Sequence, residues 1–503
     1  MTRLFNNTIF SGLDAFVLIV LSLTATPILI KHLSVEEYGV FVFLSTFSTY
    51  GMLSFFDFGM EGSLLNFVAR FDAVKDRRQL QDSLTISLLY YGVIGLVLGL
   101  VLYLASDTIT SRFAEKAAVL DWDSVIRATY LMAANVVVQF LTLPLTAVLN
   151  GLRQYVITKT TNSVLMILQY VMLLVAAVYF GRIDAALAVV LAITICRLFV
   201  LAYLVRYHTE YFRPMECHIS YGLFKQLISY SSVLLVSRII GLVFNQMGKF
   251  LIWLYLTASH LTIYDVVMRP ANLIRLLVST INSAIIPEVA ALHRAGDLPR
   301  IASLYASLVK YSYLLMLPIL AVLYVHIGPI LSAWVGPELG TNYRLSWIVL
   351  SAYLLLPISA VASTMAVGLE MVKKVLWISI AASFIYVGLS VALVNYLGLA
   401  GLMIAALAAE VFMVGPYFRA MMRFSGVQAG QVLRPLARIF GLAVPFVVAH
   451  LVLNYYYSGL VAVWLSGATI LALLHALASY RLLLSGSERS YVMQKLRGSW
   501  RKA

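Results

Sequence analysis

Residues 231–287 read SSVLLVSRIIGLVFNQMGKFLIWLYLTASHLTIYDVVMRPANLIRLLVSTINSAIIP. At a rise of about 1.5 Å per residue the stretch suffices for two helices across a hydrocarbon core of about 30 Å. Yet it sets Arg238, Lys249, Asp265, Arg269 and Arg275 among apolar side chains. A charge at that depth costs about 3 kcal/mol or more, so it faces a protein interior or a water-filled cavity and marks a pathway. The expectation is a membrane protein built around a wet, basic interior.

The whole chain supports that class. Of its 503 residues 62% are hydrophobic and only 12% charged, with apolar runs along the full length, which predicts an all-α polytopic membrane protein. A net charge of +14 raises the question of nucleic acid, but no compact soluble domain exists to present a basic face. No nucleic-acid partner is expected. Cys196 lies in an apolar run and Cys217 in a basic loop, so neither a disulfide framework nor a metal site is implied, and no cofactor motif occurs. The opening MTRLFNNTIF lacks the pattern of a cleavable signal.

Windows of about twenty apolar residues give about fourteen spans: 8–31, 39–61, 83–105, 125–150, 158–180, 184–206, 226–254, 259–289, 305–328, 344–369, 375–396, 399–422, 436–456 and 459–484. Alternate loops then differ sharply in basic content, with twenty-five Lys and Arg on the side of the termini and five on the other. Both termini are therefore expected in the cytoplasm.

Gly151-Leu152 and Tyr179-Phe180-Gly181 recur as Gly368-Leu369 and Tyr396-Leu397-Gly398, and FVARFDAVKDRRQL is echoed more loosely by EVAALHRAGDLPRI. This internal repeat predicts two pseudo-symmetric six-helix bundles, 1–206 and 226–422. A cytoplasmic linker at 207–225, two appended helices at 436–484 and a basic tail at 485–503 complete the division. No loop is long enough for a soluble catalytic domain, so function is expected within the membrane.

Counted from the span ends, Arg197, Arg238 and Arg275 all fall near mid-depth, as a basic girdle would. Asn245 and Lys249 follow Arg238 on one stripe of the same helix. Asp265 and Arg269 are spaced i,i+4, as a helical ion pair would be. The cationic cavity set is thus Arg197, Arg238, Lys249, Arg269 and Arg275 with Asn245. Asp14, Asp265 and Glu410 are the acids within spans that suit coupling to an ion gradient. His326, His450 and His475 read as packed or interfacial side chains, because none has a recognisable ligand or nucleophile partner.

The segment PILIKHLSVEEYGVFVFLSTFSTYGMLSFFDFGMEGSLLNFVARF resembles the opening of the polysaccharide flippases of the multidrug/oligosaccharidyl-lipid/polysaccharide exporter superfamily. The stretches NQMGKFLI, AIIPEVAAL, GPILSAWVGPELG and NYLGLAGLMIAA extend the resemblance over residues 1–425. It implies fourteen helices in two bundles facing a central cavity. It also implies movement of a polyprenyl-pyrophosphate-linked glycan, such as an undecaprenyl one, from the cytoplasmic to the outer leaflet of the inner membrane, for cell-surface polysaccharide synthesis. The family often carries Asp within the motif written here NQMGK, where this chain has Gly248, so an Asp-dependent role does not carry over.

The residues agree with that chemistry. Arg pairs with phosphate, and tyrosines offer faces and hydroxyls to sugars. The partners implied are the lipid-linked glycan, membrane lipids and a glycan polymerase or ligase downstream. Two alternatives stand beside it. A multidrug exporter of the same superfamily would need an acidic cavity for cations, and an integral-membrane polymerase or ligase would need polar catalytic groups on a sizeable external loop. The Arg-rich interior and short loops favour a flippase, a transporter and not an enzyme.

Overall fold

The computed structural model describes residues 20–48, 51–73, 76–114, 121–209, 221–283, 285–457, 461–484, 486 and 488–490. Among them no strand occurs. The described residues open with α1 (Val20–Leu33) and α2 (Val35–Leu44), then a 3₁₀ turn at Met52–Asp57 and α3 (Met60–Ala73). There follow α4 (Arg77–Leu104), α5 (Ser106–Ala114), α6 (Trp122–Gly151), α7 (Tyr155–Phe180), α8 (Ile183–Thr209), α9 (Tyr221–Tyr255), α10 (Ala258–Ser283) and α11 (Ile286–Arg294). The remainder is α12 (Leu298–Val335), the single turn α13 (Pro337–Gly340), α14 (Tyr343–Gly368), α15 (Val372–Leu397), α16 (Leu399–Ser425), α17 (Ala429–Tyr457) and α18 (Val461–Leu483). Ten of these, α4, α6, α7, α8, α12 and α14 to α18, are long and apolar enough to cross a membrane. The protein is a multi-pass, all-helical membrane protein.

The surface confirms the solvent. On α4, Val93, Leu96, Val97, Leu100, Val101 and Leu104 form a stripe at helical spacing that is 54–69% exposed. In water such a stripe would be a packed core face; here it meets lipid.

The chain clusters into two compact units, Met1–Asp265 and Val266–Ala503. In the first, Leu64, Val68, Leu84, Leu145, Val148, Leu149, Leu201 and Val205 from α3, α4, α6 and α8 make a fully buried cluster. Small residues bring these backbones together, as expected where lipid supplies no hydrophobic drive between helices. A Cβ at Gly99 would lie 2.7 Å from Val137 Cγ2, and one at Gly151 2.7 Å from Val68 Cγ1. The tightest approach is Gly39, where a Cβ would sit 1.9 Å from the carbonyl oxygen of Ala258, so any side chain there would force α2 off α10.

The expected continuous span 39–61 is broken. α2 stops at Leu44, where Ser45 Oγ and Thr46 Oγ1 turn back to the carbonyls of Phe41 and Phe43. Such side chains offer the backbone an alternative to the helical ladder. α3 starts only after Phe58 and Gly59, both left-handed at φ 47° and 79°. Hydropathy averages across that interruption without registering it. The span expected at 259–289 is likewise two helices, α10 and α11, and α12 overruns its expected limits at both ends.

The sequence repeat is matched by backbone geometry. After α6, Leu152, Arg153 and Gln154 donate to Val148, Asn150 and Leu149; after α14, Leu369, Glu370 and Met371 donate to Met365, Val367 and Ala366. The central residue of each turn, Arg153 or Glu370, has a positive φ of 61° or 59°. Asp76 and Asp297 begin α4 and α12 in the same manner, each accepting from the backbone N–H three residues on, at 3.1 Å. Two copies of one helical hairpin pattern are therefore present, with non-glycine residues holding a left-handed conformation at equivalent places.

Candidate functional site

The cations anticipated in the interior are distributed over three helices. Arg197 lies half-buried on α8, Lys249 half-buried on α9 and Arg269 half-buried on α10. Arg238 and Asn245 lie on α9 with side chains outside what the structure describes, and Asp14 lies outside the described residues. Of the expected cationic set, the structure describes the side chains of Arg197, Lys249, Arg269 and Arg275.

In the first unit, the start of α10 is locked to α2. Tyr38 donates from its hydroxyl to Asp265 Oδ2 at 2.9 Å, and Thr262 Oγ1 donates to the carbonyl of Val35 at 2.5 Å. Gly39 makes that approach possible. Phe43 stacks on Trp253 with ring centroids 5.3 Å apart, and Arg112 donates to the carbonyl of Leu254 at 2.9 Å. Asp265 thereby has a partner from the far side of the sequence, Tyr38, that helical spacing did not reveal.

In the second unit, Asn272 and Arg275 are both exposed and three residues apart on α10. Tyr353 of α14 ties them: its hydroxyl donates to Asn272 Oδ1 at 3.0 Å, and the Arg275 guanidinium hydrogen-bonds the same tyrosine. Behind them Glu410 of α16 accepts a hydrogen bond from Ser359 Oγ and feels the positive charge of Arg275. Five residues from three helices make one polar nest: an exposed guanidinium and amide, a tyrosine hinge and a half-buried carboxylate. Arg275 and Glu410 stand 135 positions apart in the chain. Their pairing comes from the crossing of α10, α14 and α16, so sequence spacing could not supply the acid. Tyr353, Ser359 and Asn272 were not anticipated; a tyrosine and a serine inside an apolar span leave no signal until their partners are known.

Other ionisable groups lie outside this nest. Asp184 at the start of α8 accepts from Arg127 Nε at 2.8 Å and from Arg182 Nη2 at 2.8 Å, which pins α6 to the α7–α8 turn. An open groove of about 470 Å³ beside this cluster is lined by Arg127, Tyr130, Phe180 and Arg182. Glu37, in the first turn of α2, lies in the field of Asp121 and Asp184; burial first, and those two acids second, push its carboxyl up to about 7. Ser34 caps the same helix by accepting from the Glu37 N–H at 3.2 Å. Three further groups, His326, His450 and His475, converge in the second unit although the sequence showed them no partner.

Comparison with known proteins follows the fold. A family model for polysaccharide biosynthesis proteins matches residues 4–293. No curated protein matches the chain. Among solved structures, the lipid II flippase MurJ in an inward closed conformation is similar with a TM-score of 0.68 and 13% identity, over 95% of this chain and 100% of that one. An inward-facing multidrug resistance MATE family transporter of the MOP superfamily is similar at a TM-score of 0.64 and 15% identity, over 81% and 95%. The MATE transporter VcmN of Vibrio cholerae follows at 0.57 and 14%, over 86% and 98%. At such identities the likeness concerns the fold.

Proposed function

The chain belongs to the polysaccharide biosynthesis protein family, and from that premise we propose that it is a flippase for a polyprenyl-pyrophosphate-linked oligosaccharide, undecaprenyl-linked or similar. The carrier would move from the cytoplasmic to the outer leaflet of the inner membrane by alternating access, in support of cell-surface polysaccharide synthesis. Both termini lie in the cytoplasm in this reading, as the basic-loop asymmetry requires. Bundles 1–206 and 226–422 form the two moving halves, with 436–484 appended, and a glycan polymerase or ligase takes the product.

The observation that carries the proposal is Arg275, exposed within a helix that also bears Arg269 and sits among membrane spans. An exposed guanidinium in hydrocarbon is costly, so its face opens on water, and the natural guest of a basic aqueous face is an anion. Arg275 presents a planar fork that matches a phosphate with two parallel hydrogen bonds, Asn272 adds an amide beside it, and Tyr353 holds both. A pyrophosphate would compete with Glu410 for the guanidinium. Its arrival releases the carboxylate from its counter-charge, while Ser359 keeps one hydrogen bond to it. Glu410 is accordingly the acid we assign to gradient coupling, with Asp14 and Asp265 as further candidates; Arg197, Arg238, Lys249, Arg269 and Asn245 complete the cationic lining. Loss of a charge-assisted hydrogen bond costs about 1.5–3 kcal/mol, so Arg275→Ala is expected to slow flipping at least tenfold.

The test is transbilayer movement of a lipid-pyrophosphate-linked oligosaccharide in proteoliposomes. Wild type should flip it, Arg275→Lys should retain part of the rate, and Arg275→Ala should fall near background while remaining folded. Normal flipping by Arg275→Ala would make the nest structural.

A further inference from the structure

His326 of α12, His450 of α17 and His475 of α18 are each fully buried, in a part of the chain surrounded by lipid-facing helices. His326 Nε2 lies 3.0 Å from His450 Nδ1, and His326 Nδ1 lies 3.3 Å from Asn454 Oδ1. His475 stacks on Phe446 at 4.6 Å with an interplanar angle of 10°. His450 Nε2 and both ring nitrogens of His475 are buried with no hydrogen-bond partner among the described residues. Imidazoles in hydrocarbon are expensive, and three orphaned nitrogens add to that cost.

Hydrogen-bond logic gives the cluster a direction. An amide oxygen accepts only, so with Asn454 Oδ1 facing it His326 carries its proton on Nδ1. Its Nε2 then accepts from His450 Nδ1–H, which leaves His450 Nε2 a bare lone pair at the end of the series. Asn454, His450 and Phe446 recur every four residues on α17, so they descend about 6 Å, a little over one turn, at a time from the end near Tyr457. His475, beside Phe446, is one turn deeper than His450. The arrangement is a ladder of bases running from the end of α17 toward its middle.

We propose that His326, His450 and His475, gathered by α12, α17 and α18, form a proton-binding site whose occupancy is part of the transport cycle. A proton from water binds His450 Nε2, and the positive charge is shared with His326 through the ring-to-ring hydrogen bond. Transfer onward to His475 places the cation against the face of Phe446, where the ring quadrupole stabilises it. No bond other than N–H is made or broken, and the proton comes from and returns to bulk water. The three rings do not present a metal-holding geometry.

Several other titratable groups on the packed helices have partners away from the rings. Tyr324 is bonded to Ser351, Tyr313 to the carbonyl of Leu354, Tyr305 to that of Ile358 and Lys310 to Glu488. Glu410 is at Ser359 and Tyr417 at Ser379 on α15. Tyr343 rests against Gly328. Arg344, Arg423, Arg434 and Arg481 lie toward helix ends, and Arg438 lies about three turns from His450 on α17. Among the described residues, His326 contacts both His450 and Asn454.

The link to transport rests on the flippase reading, whereas proton binding stands without it, so two measurements are needed. The first is ¹⁵N spectroscopy of histidine-labelled protein in nanodiscs across about pH 5 to 8, with His326→Gln, His450→Gln and His475→Gln assigning the signals among the eight histidines. We expect coupled titration: removing one ring shifts the protonation of the other two. Three rings that stay neutral throughout, or titrate independently, would overturn the site. The second is the pH profile of flipping, which His450→Gln should flatten at least threefold. An unchanged profile would sever the site from transport, and absent flipping by wild type would defeat the flippase reading while the spectra still decide the proton site.

Discussion

Two acids, one in each unit, are held in opposite ways. Asp57 is 2% exposed and accepts from the Tyr91 hydroxyl, from the Gly59 N–H at 3.1 Å and from the Glu61 N–H at 3.0 Å, which closes the turn where α3 begins. Glu410 is half-buried, accepts from one serine hydroxyl and depends on Arg275 for charge. The first carboxylate is fully satisfied by groups that cannot leave. The second has one serine hydroxyl and the field of an exposed arginine. Two of the donors to the first carboxylate are backbone groups of the turn it closes, whereas the second meets side chains from two other helices, and the difference lies in the partners.

The largest effect that separates them is on folding. Asp57→Ala strands the donors of Tyr91, Gly59 and Glu61 in the interior and should cost about 3–5 kcal/mol, read as loss of folded protein in detergent thermal unfolding. Unchanged stability would dissolve the contrast. Glu410→Gln keeps a hydrogen-bond acceptor for Ser359 and should change stability by less than about 1 kcal/mol. Its effect should fall on transport, where flipping under an imposed proton or sodium gradient becomes indifferent to that gradient. Full gradient dependence in this variant would return Glu410 to the structural class.

Glu37 makes a third case with a smaller effect. Its carboxyl titrates near 7 in the folded protein and near 4.5 when unfolded, so between those values the folded state holds the extra proton. Stability from this group is therefore present below about pH 4.5 and is lost as pH rises through 7. Glu37→Gln should remove that loss, so the variant unfolds at a higher temperature than wild type at pH 8 and at nearly the same temperature at pH 4. A variant less stable at pH 8 would mean that Arg182 outweighs burial and the neighbouring acids.

Legibility followed the range of the interaction. Apolar runs and loop charges announced a multi-pass helical protein, and the glycine-punctuated repeat announced turns that recur at Arg153 and Glu370. The break at 45–59 carried visible signals, the serine and threonine cluster STFST and the Asp57-Phe58-Gly59 turn, but a hydropathy window is blind to backbone hydrogen bonds. The cations of α9 and α10 stood out because charge is rare in such helices.

By itself the sequence determined the class of the protein, an all-helical chain that crosses the membrane several times, because hydrophobic length and periodicity are properties of a local stretch that each helix satisfies alone. Only the tertiary structure decided that Glu410 stands behind Arg275, that Tyr38 holds Asp265, and that three histidines spread over 149 positions meet. Those partnerships depend on which faces of distant helices cross. Apolar faces of similar hydropathy specify that crossing through small residues such as Gly39 and through shape, neither of which a linear pattern records.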